Sequence, residues 1–190
     1  MVNRQYIITY SMTKVGIIAD THGWLDEHVL NHFSECDEIW HAGDFGNIHI
    51  AERLAGKELD LTTEKDSSLH LTHRVKGVYG NIDGQDIRSV FPEKLHFTCE
   101  GVRVFMIHIG GHPAKYALGV KKEIQANQSN LFICGHSHIL KVIYDDKLNC
   151  LHINPGAAGR QGWHTVRTII RLVIDGNDMR NCEVIELGKR

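Results

Sequence analysis

Five short motifs place carboxylate, amide or imidazole side chains directly after apolar segments. They are "ADTHG" with Asp20 and His22, "HAGDF" with Asp44, "YGNID" with Asn81, "FMIHIGG" with His108, and "CGHSH" with His136 and His138. The set offers oxygen and imidazole donors without a thiolate, which suits Mn²⁺, Fe or Zn²⁺ better than Ca²⁺ or a structural zinc ion. Each motif alone is weak evidence, because an aspartate beside a glycine is more often a turn or cap residue.

These donors are too many for a single ion. Two ions that share a carboxylate lie about 3.5 to 4 Å apart in sites that clamp the attacking and leaving oxygens of a phosphoryl displacement. We assign the shared carboxylate to Asp44. The motifs therefore predict two divalent ions, with Mn²⁺ favoured and Fe or Zn²⁺ as alternatives.

Predicted strands must bring these donors together. "TKVGIIAD", "DEIWHAGD" and "HRVKGVYGNID" read as strands that end in the motifs, with helices predicted over residues 26–33, where Asp26 is a candidate cap, and 48–54. In a layered α/β fold the carboxyl ends of neighbouring strands form one crevice. Side chains distant in sequence can meet there.

The C-terminal part of the chain favours antiparallel strands. Hairpins are predicted with turns around 100–101, 145–146 and 176–177, together with a helix over 114–127. "LFICGHSH" reads as a buried strand with its two histidines at the carboxyl end or in the turn beyond it; on an extended backbone they would point the same way. The whole pattern predicts an α/β domain with two packed sheets, one domain over residues 1–190.

Composition excludes several classes of function. The 190 residues are 42% hydrophobic and 23% charged, with a net charge of -2 and a pI near 6.7, so no basic field is present to bind long nucleic acid. Five scattered cysteines without a CxxC pair suit a reducing cytoplasm. The short apolar run near the N-terminus is neither a signal peptide nor a membrane span. We therefore expect a cytoplasmic protein that does not contact membranes.

The ordered series DxH, GD, GN, H and GHxH resembles that of the calcineurin-like metallophosphoesterases. The compact chain with "GNID" and "NPG" is similar to their small single-domain YfcE-like phosphodiesterase branch. The resemblance runs from about Lys14 to the end, which leaves residues 1–12 as an N-terminal extension. It implies a four-layer sandwich of two mixed β-sheets flanked by helices.

The resemblance also implies a ligand set and a reaction. Asp20, His22 and His138 would hold one metal, Asn81, His108 and His136 the other, and Asp44 both. A metal-activated hydroxide would attack phosphorus without a covalent protein intermediate. The expected activity is hydrolysis of a small phosphate ester, with phosphodiesters favoured over monoesters.

The chain departs from the family pattern around these ligands. Relatives often carry His or Cys after the metal-binding Asn, where this chain has Ile82, which cannot transfer a proton. His112 in "GGHP" is the nearest candidate acid, with a loop position as the alternative reading. Ile109 stands where relatives usually have Gly. Arg160 is a candidate phosphate contact or a solvated surface residue.

Two other classes of function stay open at this point. The same small fold serves in eukaryotic retromer as a scaffold with an impaired site, so this chain could be a catalytically weak or inactive metal-binding scaffold; Ile82 favours that reading. A structural metalloprotein would instead unfold on chelation. Association into a homo-oligomer through an apolar patch of a C-terminal hairpin is also left open.

Overall fold

A computed structural model of the protein describes residues 12–56 and 73–190. Residues 1–11 of the predicted N-terminal extension and the polar segment 57–72 lie outside the described residues. The strands are β1 (Thr13–Ile18), β2 (Glu38–His41), β3 (Arg74–Gly77), β4 (Lys94–Cys99), β5 (Val102–Ile107), β6 (Gly111–His112), β7 (Lys115–Tyr116), β8 (Leu131–Ile133), β9 (Lys141–Asp145), β10 (Cys150–Asn154), β11 (Val166–Asp175) and β12 (Asp178–Lys189). The helices are α1 (Glu27–Phe33), α2 (Ile48–Leu54), α3 (Gln85–Arg88) and α4 (Val120–Ala126).

Two five-stranded sheets organise the fold. The first has the order β12-β11-β1-β2-β3, in which β1, β2 and β3 are parallel and the β11-β12 hairpin is antiparallel to β1. The second has the order β4-β5-β8-β10-β9, in which β5, β8 and β10 are parallel and β4 and β9 are antiparallel edge strands. Both sheets are therefore mixed, as predicted.

Alternation along the strands explains the layers. In β1, Val15 and Ile17 face the core between the sheets, whereas Ile18 faces the cluster that includes Val29 and Phe33 of α1. Successive side chains of a strand point to opposite faces, so a strand buried on both sides reads as a continuous apolar run. On the outer face of the second sheet, α4 packs through a third apolar cluster.

The four layers confirm the predicted fold class. Helices α1, α2 and α3 cover the first sheet, the two sheets pack against each other, and α4 covers the second sheet. None of the helices among the described residues is long and apolar enough to cross a membrane. The expectation that the whole chain is one domain stays a prediction.

Three hairpins form where the sequence predicts them, and one helix is shorter than predicted. Residues 114–119 do not join α4, because Lys115 and Tyr116 pair with Gly111 and His112 in the small β6-β7 ribbon. Gly119 precedes α4 with φ +85°, a left-handed conformation that stops the helix from extending toward its N-terminus. The apolar period alone did not reveal this interruption.

His152 is a buried histidine in the interior of the second sheet. Its residue is 1% exposed, and neither ring nitrogen has a hydrogen-bond partner among the described residues. Burial, followed by the charges of Lys141 and His112, lowers its pKa to about 4. The ring is therefore neutral in the folded protein at neutral pH.

The pKa of His152 predicts a pH dependence of stability. Between the ordinary pKa of 6.5 and about 4, the unfolded chain binds a proton that the folded chain does not, so stability falls as pH drops through this window. The difference corresponds to about 3 kcal/mol. We expect His152→Leu to remove most of that loss, as measured by urea unfolding at pH 7 and pH 4.5. His28→Leu, at an exposed position, should keep the wild-type slope; equal slopes in all three proteins would contradict the assignment.

Candidate metal centre

The predicted ligands converge where the carboxyl ends of the parallel strands of both sheets meet. β1, β2 and β3 deliver the loops with Asp20, Asp44 and Asn81, and β5 and β8 deliver those with His108 and His136. Parallel strands place their carboxyl ends at one edge, so the sheet order brings these loops together.

One group of donors consists of Asp20, His22 and His138. Their ligand atoms lie within 4.8 Å of one another. The Nε2 atoms of His22 and His138 are 3.2 Å apart, and His138 Nε2 is 3.3 Å from Asp20 Oδ1. Asp20 is completely buried, whereas both histidines are half-buried. A carboxylate and two imidazoles at these distances can hold a divalent cation.

A second group consists of Asp44, His108 and His136, again within 4.8 Å. His108 Nε2 lies 3.3 Å from Asp44 Oδ2 and 3.2 Å from Asn81 Oδ1, so the Asn81 amide oxygen adjoins this group. The rings of His108 and His136 make an edge contact with centroids 5.3 Å apart. The three donor types predicted from the sequence are thus in one place.

Asp44 also adjoins the first group. Its Oδ2 atom is 3.8 Å from His22 Nε2 as well as 3.3 Å from His108 Nε2. Its other oxygen, Oδ1, accepts a hydrogen bond of 3.1 Å from the backbone N–H of Ile82. Asp44 is therefore positioned between the two groups, as the shared carboxylate would have to be.

Left-handed backbone conformations occur throughout the cluster. Asp20, His22, Asp44, His136 and His138 have φ values of +54°, +50°, +57°, +66° and +56°. Asp and His adopt this region more readily than most residues, but it still costs about 1 to 3 kcal/mol at each position. Such strain concentrates at functional sites, where the surrounding structure holds it in place.

The two histidines of "GHSH" lie in the turn beyond the strand, which is one of the two positions that the sequence allowed. β8 ends at Ile133, and the following loop places both residues in the left-handed region. Their side chains consequently join different groups, His138 with Asp20 and His136 with Asp44. The loop conformation, rather than strand alternation, separates the two imidazoles.

Burial and close charges shift the pKa values of the cluster. Burial alone would raise the pKa of Asp44, but the hydrogen bond and charge of His108 and the N–H of Ile82 bring it below its usual value. Burial opposes the charged form of His108, yet Asp44 and Asp20 raise its pKa. For His22, burial outweighs both carboxylates and lowers the pKa. The lowered pKa of Asp44 favours its ionised form, which is the form that binds a cation.

Backbone groups orient the candidate ligands. His108 Nδ1 lies 2.8 Å from the carbonyl oxygen of Ala42, which can only accept, so Nδ1 carries a proton and Nε2 faces the cluster. The backbone N–H of His136 donates to Asp20 Oδ2 at 3.1 Å. Gly43 has φ +98°, and a Cβ atom there would lie 2.5 Å from His108 Nδ1. A side chain at residue 43 would displace the imidazole.

Asp83 is a buried residue to which sequence reasoning gave no role. It is 4% exposed, and its two oxygens accept hydrogen bonds of 2.8 Å from the backbone N–H groups of Gly46 and Gly80. Those glycines belong to the loops that carry Asp44 and Asn81. Asp83 therefore ties the two loops together, and its position two residues after Asn81 was the only signal in the sequence.

His112 and Arg160 lie outside the ligand cluster. His112 is half-buried with Nδ1 2.7 Å from Pro113 O, and it lines a cavity together with His136. Arg160 is exposed and stacks on Trp24, its guanidinium carbon 4.2 Å from the ring centroid. Sequence reasoning did not single out His164, whose ring centroid is 5.3 Å from that of His138. Burial lowers the pKa of His164.

Comparisons with known proteins agree with the fold and the motifs. Residues 13–177 match the model of the calcineurin-like phosphoesterase superfamily domain. A curated Mycoplasma pneumoniae protein named "Probable metallophosphoesterase" is 28% identical over 153 residues, which are 77% of this chain and 79% of that protein.

Two solved structures share the fold at low sequence identity. An archaeal protein described as a novel phosphodiesterase has a TM-score of 0.64 and 21% identity, covering 92% of this chain and 99% of its own. Wild-type Vps29 of Entamoeba histolytica, solved in complex with zinc, has a TM-score of 0.63 and 15% identity, covering 91% and 98%.

The position of Asp83 predicts a defined mutant phenotype. Asp83→Ala leaves two backbone N–H groups without their acceptor, which should cost about 2 to 3 kcal/mol of stability and weaken Mn²⁺ binding by the metal-stripped protein. Urea unfolding and calorimetric Mn²⁺ titration measure the two effects. Asp86→Ala is the matched control, because Asp86 is exposed and accepts one bond, 3.0 Å from the N–H of Ile48. Equal metal affinity in both variants would contradict the loop-tying role.

Proposed function

Because the chain belongs to the calcineurin-like phosphoesterase superfamily, we propose that it is a phosphodiesterase that uses two divalent metal ions, with Mn²⁺ favoured. The ligand assignment follows the two groups in the structure. Asp20, His22 and His138 would hold one ion, Asn81, His108 and His136 the other, and Asp44 both. The archaeal phosphodiesterase supports diester hydrolysis only by likeness of fold.

The observation that carries this proposal is a pair of buried carboxylates that have no lysine or arginine partner. Asp20 and Asp44 are 0% and 2% exposed, yet their partners are imidazoles and backbone N–H groups. In the part of the chain that the structure describes, no lysine or arginine forms an ion pair with either carboxylate. Buried carboxylates in proteins are commonly paired with a cationic group or coordinate a metal ion. The donor set therefore fits a divalent cation in each group.

The chain's own residues prepare the site for phosphate chemistry. Divalent ions bound here would supply an activated water nucleophile and neutralise charge on the phosphoryl oxygens. The His108–Ala42 contact keeps the Nε2 lone pair directed to the cluster, and the Ile82 N–H holds one oxygen of Asp44. His22 and His138 complete the first group from loops of different sheets. No side chain has to form a covalent bond to phosphorus.

Ile82 governs the preference among leaving groups. It is 47% exposed, and its backbone N–H rather than its side chain contacts Asp44. A hydrocarbon at this position cannot donate a proton to a departing alkoxide. We therefore expect esters with acidic, easily expelled alcohols to be the better substrates.

The first test is hydrolysis of bis-p-nitrophenyl phosphate by metal-stripped protein to which Mn²⁺ is returned. We expect turnover that requires the metal and that Asp44→Asn lowers by at least 10³-fold, on the order expected when a central electrostatic contact is removed. Asp86→Asn, at an exposed carboxylate, should keep wild-type turnover. Absence of Mn²⁺-dependent turnover while two ions bind would refute the catalytic proposal for this substrate class.

A gain-of-function variant tests the role assigned to residue 82. Ile82→His should raise kcat/KM for diphenyl phosphate by about 10-fold or more, because an acid can then protonate the poorer leaving group. Bis-p-nitrophenyl phosphate should respond much less, since its leaving group needs no proton. Ile82→Gln controls for polarity and size. If His and Gln at residue 82 had equal effects on both substrates, a missing acid could not explain the preference for easily expelled leaving groups.

A metal-binding scaffold is the second candidate function. Two observations favour it: Ile82 in place of a proton donor, and the fold shared with zinc-complexed Vps29. A scaffold would bind the metals with the same residues but would not turn over ester substrates under any metal condition. The ligand set is common to both candidates, so turnover rather than metal affinity separates them.

A further inference from the structure

A cavity of about 420 Å³ lies beside the candidate metal centre, between the β6-β7 ribbon and the outer face of the second sheet. Gly135, His136 and Ser137 of the HxH loop form part of its wall, so it adjoins the group of Asp44 and His136 directly. A molecule held at the metal centre could therefore extend into this space.

Among the described residues that line the cavity, lysines are present and acidic residues are absent. Lys115 and Lys141 line it from opposite elements, the ribbon and the start of β9. The described residues that line it include no aspartate or glutamate, and neither lysine has a carboxylate partner among the ion pairs of the described residues. Two unpaired ammonium groups in a concave site attract an anionic group.

Ser137 offers a hydrogen-bond donor in the same wall. Its oxygen accepts from Asn154 Nδ2 at 3.1 Å and from the backbone N–H of Ile139 at 3.3 Å. Both lone pairs are then engaged, whereas the hydroxyl proton has no acceptor among the described residues. The proton is available to an oxygen atom in the cavity.

His152 is the second independent sign of a ligand. It lines the cavity and is only 1% exposed. Neither ring nitrogen has a hydrogen-bond partner among the described residues. Buried polar groups in native proteins are nearly always hydrogen-bonded, so the unpaired imidazole in the cavity wall is a candidate to bond a group held in the cavity. Burial keeps this ring neutral at pH 7, with one donor and one acceptor nitrogen.

We infer that this cavity binds a terminal phosphomonoester group carried on one arm of the phosphodiester substrate. The inference rests on the proposed function for its account of the substrate, but the residues to which we assign phosphate binding are not among the proposed metal ligands. Lys115, Lys141, Ser137 and His152 are substrate-binding residues in it. The substrate class is a phosphodiester that bears a second phosphate.

A phosphomonoester fits these groups better than a carboxylate does. It carries a charge of about -1.5 to -2 at pH 7 and three acceptor oxygens. Two ammonium groups, a hydroxyl proton and an imidazole N–H match that charge and number of acceptors. A carboxylate has one charge and two oxygens, so it would leave part of the donor set unused.

Two chromogenic substrates test the inference, because they differ only by the second phosphate. They are the p-nitrophenyl ester of thymidine 5′-phosphate and the same ester carrying a 3′-phosphate. We expect the 3′-phosphorylated ester to have a kcat/KM about 10-fold higher or more, since a charge-assisted contact is made by one substrate only. Equal values, or a preference for the ester without the 3′-phosphate, would overturn the inference.

Variants that remove the charge of the two lysines test whether these residues cause the preference for the second phosphate. Lys115→Gln combined with Lys141→Gln should bring the ratio of the two kcat/KM values close to one, because the ammonium groups that favour the second phosphate are then absent. Lys122→Gln is the matched control, because Lys122 is exposed on α4 and does not line this cavity. If the ratio of the kcat/KM values fell equally in the double variant and in Lys122→Gln, the preference would be a general effect of charge. That result would refute phosphate binding in this cavity.

A binding measurement separates failure of this inference from failure of the proposed function. Inorganic phosphate is titrated into metal-stripped protein at constant ionic strength while the ring signals of His152 are followed by NMR. A saturable shift that the double lysine variant abolishes would support the cavity even if no ester is hydrolysed. No shift, or an equal shift with acetate, would overturn the phosphate assignment whether or not the protein is an active phosphodiesterase.

Discussion

The arrangement of the site depends on two buried carboxylates without a cationic side chain beside them. Asp20 and Asp44 lie at the carboxyl ends of β1 and β2, at 0% and 2% exposure. Removing an ionised carboxylate from water costs several kcal/mol unless a partner compensates it. In the described structure the compensation comes from imidazoles and backbone N–H groups, and the proposed metal ions would complete it. The surrounding loops hold these two charged groups in place.

Those loops have strained backbone conformations, which fix the positions of the proposed ligands. Five of the seven proposed ligands have left-handed backbone conformations, and Gly43 admits the ring of His108 at a distance that no side chain would allow. Asp83 then ties the Asp44 loop to the Asn81 loop through two backbone hydrogen bonds. Such contacts pre-position donors before a metal arrives, which is how outer groups raise metal affinity. Each of these loops begins at the end of a strand in the packed sheets, which holds the strained residues in place.

The departures from the family pattern lie around the proposed ligands and leave the ligands themselves unchanged. Ile82 removes a side-chain proton donor without disturbing Asp44, which is held by the backbone N–H of the same residue. Ile109 and Ile139 line the cavity in which Lys115, Lys141 and His152 lie. On the proposed function, residues next to the candidate metal centre could change specificity without altering the charges of the proposed ligands. In both candidate functions the proposed ligands would bind the metal ions in the same way.

The sequence by itself determined the strands, the hairpins and the order of the donors. Alternating and continuous apolar runs have a strict geometric meaning, and the motifs stand directly after them, so the fold class and the convergence of Asp20, Asp44 and His108 could be predicted. Tertiary structure alone decided the rest. The short α4 reflects pairing of residues 111–112 with 115–116, and the left-handed backbone of His136 and His138 belongs to a loop that no apolar pattern describes. The loop-tying role of Asp83 and the unpaired ring of His152 depend on neighbours 37 residues away or on another element, and no local pattern encodes such contacts.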